Sequence, residues 1–259
     1  MATGSEALDG DAGGSRAWHL PASLLGLALL WAAAAELAAS PLLPGPLQVL
    51  DTLARHAREG ALFGHLAATL GRVAVSFALA MLAGCAVGIA MGLWRRVDRL
   101  GDALLIVLLN VPALVTIILC YVWLGLNETA AILAVAVNKT PMVAVTMREG
   151  ARALDPAYAQ LARVYRFGAG KTLRHVVLPQ LAPYLLASAR NGLALIWKIV
   201  LVVELLGRSD GVGFQLQLYF QLFQVDSLLA YTLAFVLCVL AIEAALLQPL
   251  ERRIGRWQA

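Results

Sequence analysis

The chain has 259 residues, of which 61% are hydrophobic and 14% are charged, and its formal net charge is +4. A soluble domain carries about 25% charged residues, so this composition indicates a protein that crosses a membrane several times. The cationic residues lie in several short loops and form no single basic patch, which argues against a nucleic-acid partner.

The N-terminal residues 1–18 are mostly small, polar or acidic. They lack the basic first region and the small-residue cleavage site of a secretory signal, so we expect a disordered tail. Residues 19–44 then form the first predicted transmembrane helix, and residues 45–257 form the core of the protein.

A bilayer core of about 30 Å requires roughly 20 apolar residues of helix. Six segments satisfy this requirement, at residues 20–40, 73–94, 103–124, 128–147, 182–207 and 228–250. The predicted fold class is therefore all-α, a polytopic membrane protein with six transmembrane helices. Pro112 predicts a kink within the third helix. Gly84, Gly88 and Gly92 predict close helix packing, within the chain or across a dimer.

The distribution of cationic residues between the loops predicts the orientation of the chain. Three arginines lie in the odd-numbered loops: Arg55, Arg58 and Arg208. Thirteen cations lie in the tails and even-numbered loops: Arg16, Arg95, Arg96, Arg99, Arg148, Arg152, Arg163, Arg166, Lys171, Arg174, Arg252, Arg253 and Arg256. Because basic loops remain in the cytoplasm, we expect both termini and the loop at 149–181 to be cytoplasmic. Residues 47–63 have helical apolar spacing and predict a helix along the outer face.

A polar, arginine-rich segment at residues 149–183 separates the fourth and fifth spans. Asp155 and Pro156 have the pattern of an N-cap and a first helical residue. An apolar face then follows at helical spacing, formed by Tyr158, Leu161, Ala162 and Tyr165. Gly168 and Gly170 are expected to end this helix, and a second short helix is expected from Lys171 to Leu178, ending at Pro179.

This helix pair resembles the cytoplasmic coupling loop of ABC importer permeases, whose pattern is E-A-A, three residues, Gly, nine residues, Ile, one residue, Leu-Pro. Leu178-Pro179, Val176 and Ala162 occupy matching positions, whereas Arg166 replaces the glycine and Gly168 lies two residues later. The resemblance implies that the loop docks on an ATPase through Tyr158, Leu161, Ala162, Tyr165, Arg166, Gly168, Val176, Leu178 and Pro179. The alternative is a solvated basic loop without a partner.

The fifth span contains polar residues on two adjoining stripes. Arg190, Trp197 and Glu204 form one stripe, and Asn191 and Lys198 form the other. Since a charge that faces lipid costs at least about 2.5 kcal/mol, these residues are candidates for a translocation pathway or a dimer interface. Alternatively, Arg190 and Glu204 extend to the two membrane surfaces, which leaves only Lys198 deep.

Lys139 in the fourth span is a second deep cation, next to Asn138 and near Pro141. It is either a pathway residue or the end of a kinked helix from which the lysine reaches the interface. The fifth span is also similar to the W…E-L-L-G stretch of permeases in the nitrate, sulfonate and taurine branch, through Asn191-Gly192, Trp197, Glu204 and Gly207. The turn Gly211–Phe214 is similar to the Gly-x-Gly-aromatic turn of that branch.

That resemblance covers residues 45–257 and implies a permease subunit of an ATP-driven importer for a small anionic solute in a bacterial inner membrane. It also implies a second copy of the chain, two cytosolic ATPase subunits that hold ATP and Mg, and an external solute-binding protein. The sequence contains no catalytic set, cofactor motif or metal-spaced ligand cluster, so ATP hydrolysis is expected on a separate chain. A secondary transporter, a channel and a membrane enzyme are the alternatives, although no internal repeat or convergent set of histidines and carboxylates favours them.

Overall fold

The computed structural model describes residues 12–247, and within this range the chain is helical without strands. The helices are α1 (Ala12–Ala38), α2 (Pro46–Glu59), α3 (Ala61–Leu93), α4 (Arg95–Asn110), α5 (Ala113–Leu124), α6 (Glu128–Arg152), α7 (Pro156–Val164), α8 (Ala169–Thr172), α9 (Leu178–Gly207), α10 (Val212–Gln221) and α11 (Val225–Ile242). Two π-helical turns, Leu173–Val177 and Glu243–Leu247, precede α9 and follow α11. The all-α fold is confirmed.

Four helical segments of the described chain are long and apolar enough to cross a membrane: Ala61–Leu93, Glu128–Arg152, Ala169–Gly207 and Val225–Ala245. Helices α4 and α5 together have the length and composition of a fifth span, but the chain bends by 98° between them. The first predicted span contributes a shorter apolar stretch, Ala22–Ala38. By length and composition, the described residues therefore provide four or five spans where six are predicted.

The predicted tail at residues 1–18 lies partly outside the described residues, and α1 already begins at Ala12.

The third predicted span is not a single helix with a kink, as the sequence predicts. Instead, α4 ends at Asn110, and the carbonyl of Pro112 accepts hydrogen bonds from Val115 and Thr116 as the new helix α5 begins. Proline cannot donate to a preceding turn, so the chain changes direction here.

Helix α6 lies at the centre of the bundle, since 56% of its most apolar stretch is buried, whereas 22–33% is buried in the other three spans. It packs along α3 through the three glycines of that helix. A Cβ added to Gly84, Gly88 or Gly92 would lie 2.3–2.5 Å from atoms of Val143, Ala144 or Ala151 in α6. The small residues therefore permit close contact within the chain rather than across a dimer.

The helical bundle has a polar end and an opposite end. The polar end carries the C-terminus of α6, helices α7 and α8, and the start of α9. The opposite end carries α2, the starts of α3 and α6, the end of α9, and α10. At that end α2 packs against the start of α11, where the Thr52 hydroxyl donates to Asp226 Oδ2 at 3.1 Å and His56 Nε2 lies 3.2 Å from Ser227 Oγ.

Candidate functional site

Helix α7 begins where the sequence predicts. Asp155 caps it, since its Oδ1 accepts a hydrogen bond from Ala157 N–H at 2.8 Å, and Pro156 is the first helical residue. Three of the four apolar residues expected on one face are more than half exposed, namely Tyr158, Leu161 and Tyr165. This helix therefore presents apolar side chains outward at the polar end of the bundle.

Ala162 differs from the other three members of the predicted face. It is only 4% exposed, and its carbonyl accepts a hydrogen bond from Phe167 N–H at 2.8 Å. The side chain is therefore covered by the chain itself. A substitution at Ala162 tests internal packing, whereas Leu161, at 52% exposed, is accessible to a partner.

The bend after α7 lies at Arg166 rather than at Gly168, and the helix has already ended at Val164. Arg166 has a φ of 49°, in the left-handed region that favours glycine, whereas Gly168 has an ordinary φ of −67°. The left-handed residue thus occupies the position at which the coupling-loop pattern has glycine. Lys171 Nζ lies 4.3 Å from the centroid of the Phe167 ring, which holds the following helix against the turn.

The second short helix does not end at Pro179 as the sequence-based prediction has it. Helix α8 and the π-helical turn Leu173–Val177 continue directly into α9, which begins at Leu178. Pro179 lies in the first turn of α9, where a missing N–H costs little. Val176 is half-buried and Leu178 is 42% exposed. The second helix of the pair is therefore continuous with a membrane span.

A cavity of about 320 Å³ lies between α9 and α11. Three predicted pathway residues line it together: Asn191, Trp197 and Lys198. Arg190 also lines it, and the remaining lining residues are Leu193, Ala194, Phe235, Val236, Val239, Leu240 and Glu243. The structure therefore brings together two cations of α9, Arg190 and Lys198, and an apolar wall from α11.

The two other predicted pathway residues lie elsewhere. Glu204 is completely buried near the end of α9, where other residues of the bundle cover it. Lys139 is 8% exposed on α6 and is not among the described residues that line the cavity. Neither of them belongs to the same site as Lys198.

Glu204 instead belongs to a network of ion pairs that the sequence analysis did not anticipate. Arg72 of α3 is 3% exposed, and its Nη1 donates to Glu204 Oε1 at 2.7 Å. Its Nε and Nη2 donate to the two carboxylate oxygens of Glu128 at 2.8 and 2.9 Å, and Nη2 also donates to Asp210. Arg208 Nη2 lies 2.9 Å from Glu128. Two guanidinium groups thus face three carboxylates, of which only Glu204 is fully buried.

The Gly211–Gly213 turn closes over the Glu204 carboxylate. Gly213 N–H donates to Glu204 Oε2 at 2.8 Å, and the Thr69 hydroxyl lies 2.9 Å from the same oxygen. Gly211 has a φ of 101°, and a Cβ there would lie 2.4 Å from the carboxylate. A Cβ on Gly213 would lie 2.2 Å from the carbonyl oxygen of Leu201. Both glycines are therefore required by close contact.

The same turn is held by α3. Val212 N–H donates to Thr69 Oγ1 at 2.8 Å, and Gly211 N–H donates to His65 Nδ1 at 3.1 Å. His65 thus accepts a hydrogen bond that fixes the turn to α3. Among the described residues, no group of three or more His, Cys, Asp and Glu side chains is placed to hold a metal ion.

Sequence reasoning missed Arg72 and Glu128 because each lies at the boundary of a predicted span, where charges normally face solvent. The available signal was the coincidence of charged residues at the ends of three predicted spans on one side of the bundle: Arg72, Glu128, Glu204 and Arg208. Such a coincidence is visible only when the spans are already aligned.

Comparison with known proteins provides the family. Residues 80–254 match the family described as binding-protein-dependent transport system inner membrane component. The putative aliphatic sulfonates transport permease protein of Bacillus subtilis is 30% identical over 216 residues, which cover 83% of this chain and 78% of that protein. The taurine transport system permease protein of Escherichia coli is 30% identical over 237 residues, or 89% and 86% of the two chains.

A bicarbonate transport system permease protein of Synechococcus elongatus is 29% identical over 205 residues, covering 74% of this chain and 73% of that protein. Among solved structures, an amino acid ABC transporter with histidines aligns with a TM-score of 0.62 at 21% identity, covering 78% of this chain and 97% of that chain. The MetNI methionine ABC transporter aligns with a TM-score of 0.61 at 18% identity, covering 73% and 92%. The chain belongs to the family of binding-protein-dependent transport system inner membrane components, as an ABC importer permease of the branch that includes the sulfonate, taurine and bicarbonate permeases.

Proposed function

We propose that two copies of this chain form the membrane pathway of an ATP-driven importer for a small anionic solute. In this proposal ATP and Mg bind to two separate ATPase subunits, and an external solute-binding protein delivers the solute. The observation that carries the proposal is the exposed apolar face of α7, since an apolar helix at the end of a membrane bundle requires a partner that covers it.

The expected docking surface consists of Tyr158, Leu161 and Tyr165, with the turn at Arg166 setting the angle to the following helix. The turn at Arg166 joins this surface to α8, and α8 continues into α9, so a force on the surface acts through the turn on the span that carries Lys198. Movement of an ATPase subunit would thereby shift one wall of the cavity. Gly168, Val176, Leu178 and Pro179 support the second helix of the pair.

The polar end of the bundle is assigned to the cytoplasm, and both termini are on the same side. The concentration of basic residues in the loops at the polar end supports this orientation. Arg148 and Arg152 also pair with Asp98 and Asp102 of α4 there, so part of this charge stabilises the bundle. The Arg72 network then faces the side from which a binding protein delivers solute.

The proposed solute is anionic because the cavity between α9 and α11 has more positive than negative side chains. Lys198 and Arg190 line it together with a single carboxylate among the described residues, that of Glu243. The relatives that transport aliphatic sulfonates, taurine and bicarbonate carry solutes compatible with this charge.

The decisive experiment is purification of the tagged chain from its native membrane in a mild detergent. We expect an ATPase subunit to co-purify, and the reconstituted complex to take up an anionic solute only with ATP and the binding protein. Uptake by the chain alone, driven by an ion gradient or by the solute gradient, would instead identify a secondary transporter or a channel.

A further inference from the structure

The cavity between α9 and α11 has different chemistry at its two ends. Trp197 and Phe235 meet edge to face with their ring centroids 6.1 Å apart, which places Lys198 and Phe235 at the same level. Arg190 and Glu243 lie eight positions away along their respective antiparallel helices. At a rise of 1.5 Å per residue, this separation is about 12 Å toward the polar end.

The charges are balanced at one end and unbalanced at the other. Arg190 and Glu243 have opposite charges at the polar end, whereas Lys198 has no carboxylate near it among the described lining residues. Lys198 also makes no hydrogen bond or ion pair within the described part of the chain, and it is exposed. A cation at this depth requires cavity water or an anion as its partner.

An apolar wall connects the two ends. Leu193 and Ala194 form the α9 side, and Val236, Val239 and Leu240 form the α11 side. An inorganic anion could contact Lys198 but would leave this wall without a partner. An anion that carries a short hydrocarbon chain satisfies both features at once.

We propose that this cavity is a binding site for a small organic anion with a short hydrocarbon chain, with its head group at Lys198 and its hydrocarbon chain against Val236 and Leu240. The inference rests on the proposed function and narrows the solute from anions in general to amphiphilic ones. The volume of about 320 Å³ lies at the lower limit of known ligand pockets, so the chain of the ligand is short. A phospholipid has similar chemistry but much larger acyl chains.

Protection of a cysteine from alkylation tests the site directly. Ala194→Cys is introduced after Cys85, Cys120 and Cys238 have been replaced by alanine, and N-ethylmaleimide labelling is followed in membranes with and without pentanesulfonate. We expect pentanesulfonate to slow labelling and inorganic sulfate to have little effect. Lys198→Met should weaken protection about tenfold, as expected for loss of one charge-assisted contact. Lys171→Met, which removes the same charge outside the cavity, should leave protection unchanged.

Val239→Cys repeats the measurement from the opposite wall, so a poorly folded first variant does not decide the result. Equal protection by sulfate, or protection that survives Lys198→Met, would overturn the assignment of the site. A lipid occupant is recognised by labelling that is slow in vesicles with phosphatidylglycerol, fast in phosphatidylcholine vesicles and indifferent to pentanesulfonate, and that result also overturns it.

The outcome is separable from that of the proposed function. Absence of protection in a chain that still supports ATP-dependent uptake in the complete complex would reject this cavity as the site and leave the importer assignment intact. Uptake that proceeds without ATP would reject the importer assignment, whatever the protection experiment shows.

Discussion

The guanidinium of Arg72 and the carboxylate of Glu204 are 2.7 Å apart, although 132 residues separate them in the chain. Their side chains are 3% and 0% exposed, so this ion pair connects α3 to α9 in the interior of the bundle. The same carboxylate accepts from Gly213 N–H, which adds the start of α10 to the connection. A single pair thus holds together three elements at the end opposite the polar segment.

We expect Arg72→Met to destabilise the protein by about 3–5 kcal/mol, because the substitution leaves Glu204 buried without its cation. Thermal unfolding of the detergent-solubilised chain measures this effect. Arg55→Met provides a matched control, since the Arg55 side chain is 57% exposed and its loss should cost at most about 1 kcal/mol. Equal melting temperatures for the two variants would contradict the assigned importance of the buried pair.

Adding Glu204→Gln to Arg72→Met should restore part of the lost stability, because the second change removes the unpaired charge. If the two substitutions are simply additive, Arg72 and Glu204 do not depend on each other in the way that the geometry indicates.

Local patterns predicted the features that depend on neighbouring residues in the chain. The Asp155 cap, the apolar spacing of α7 and four of the spans arise from helical periodicity and turn chemistry, and each appears in the structure. The Arg72–Glu204 pair depends on how α3 and α9 align, and no local pattern reports that alignment. The same reason explains Gly84, Gly88 and Gly92, whose close packing was expected but whose partner helix was not known.

The position of the bend after α7 differs from the sequence-based prediction for another reason. Glycine is the residue that most easily adopts a positive φ, so the sequence pattern favoured Gly168. The structure places the left-handed residue at Arg166, where the chain geometry of the loop outweighs the preference of the residue. In the same way, the exposure of Leu161 and the burial of Ala162 differ because the turn covers one side of an otherwise uniform apolar face.

Arg166→Gly should be neutral or stabilising by up to about 1 kcal/mol, because glycine relieves the strain of a left-handed arginine. Gly168→Ala should also be tolerated, since φ at Gly168 is −67° and nothing lies within 4 Å of an added Cβ. Gly211→Ala serves as the sensitive control, with a φ of 101° and a clash with Glu204. Melting temperatures compare the three, and a large loss at Gly168→Ala would place the bend at Gly168 after all.

Leu161→Asp should uncouple ATP hydrolysis from uptake while leaving the chain folded, because it places an unpaired charge in the proposed docking surface. The matched control is Gln160→Asp, which introduces the same charge on the opposite face of α7. ATPase activity and uptake by the reconstituted complex are measured for both. Normal coupling in the Leu161→Asp variant would remove α7 from the docking surface.

Single cysteines at Gln160 and Gln221 should react with a membrane-impermeant maleimide from opposite sides of the membrane. Both residues are exposed, and they lie at opposite ends of the bundle. In sealed right-side-out vesicles we expect labelling at Gln221→Cys alone, with Gln160→Cys labelled after the vesicles are opened. Labelling of both positions in sealed vesicles would disprove the proposed cytoplasmic location of the polar segment.

The two deep lysines should respond differently to the same substitution. Lys198 is exposed to the cavity between α9 and α11, so Lys198→Met should leave expression and assembly near normal and impair uptake of an anionic solute. Lys139 is 8% exposed and, within the described part of the chain, makes no hydrogen bond or ion pair. Because an unpaired cation at this depth costs stability, Lys139→Met should preserve or raise the melting temperature and leave uptake intact.

Uptake and melting temperature are measured for both lysine variants in the reconstituted complex. Normal uptake by a well-expressed Lys198→Met variant would exclude a pathway role for Lys198, whereas loss of uptake in a stable Lys139→Met variant would place Lys139 on the pathway.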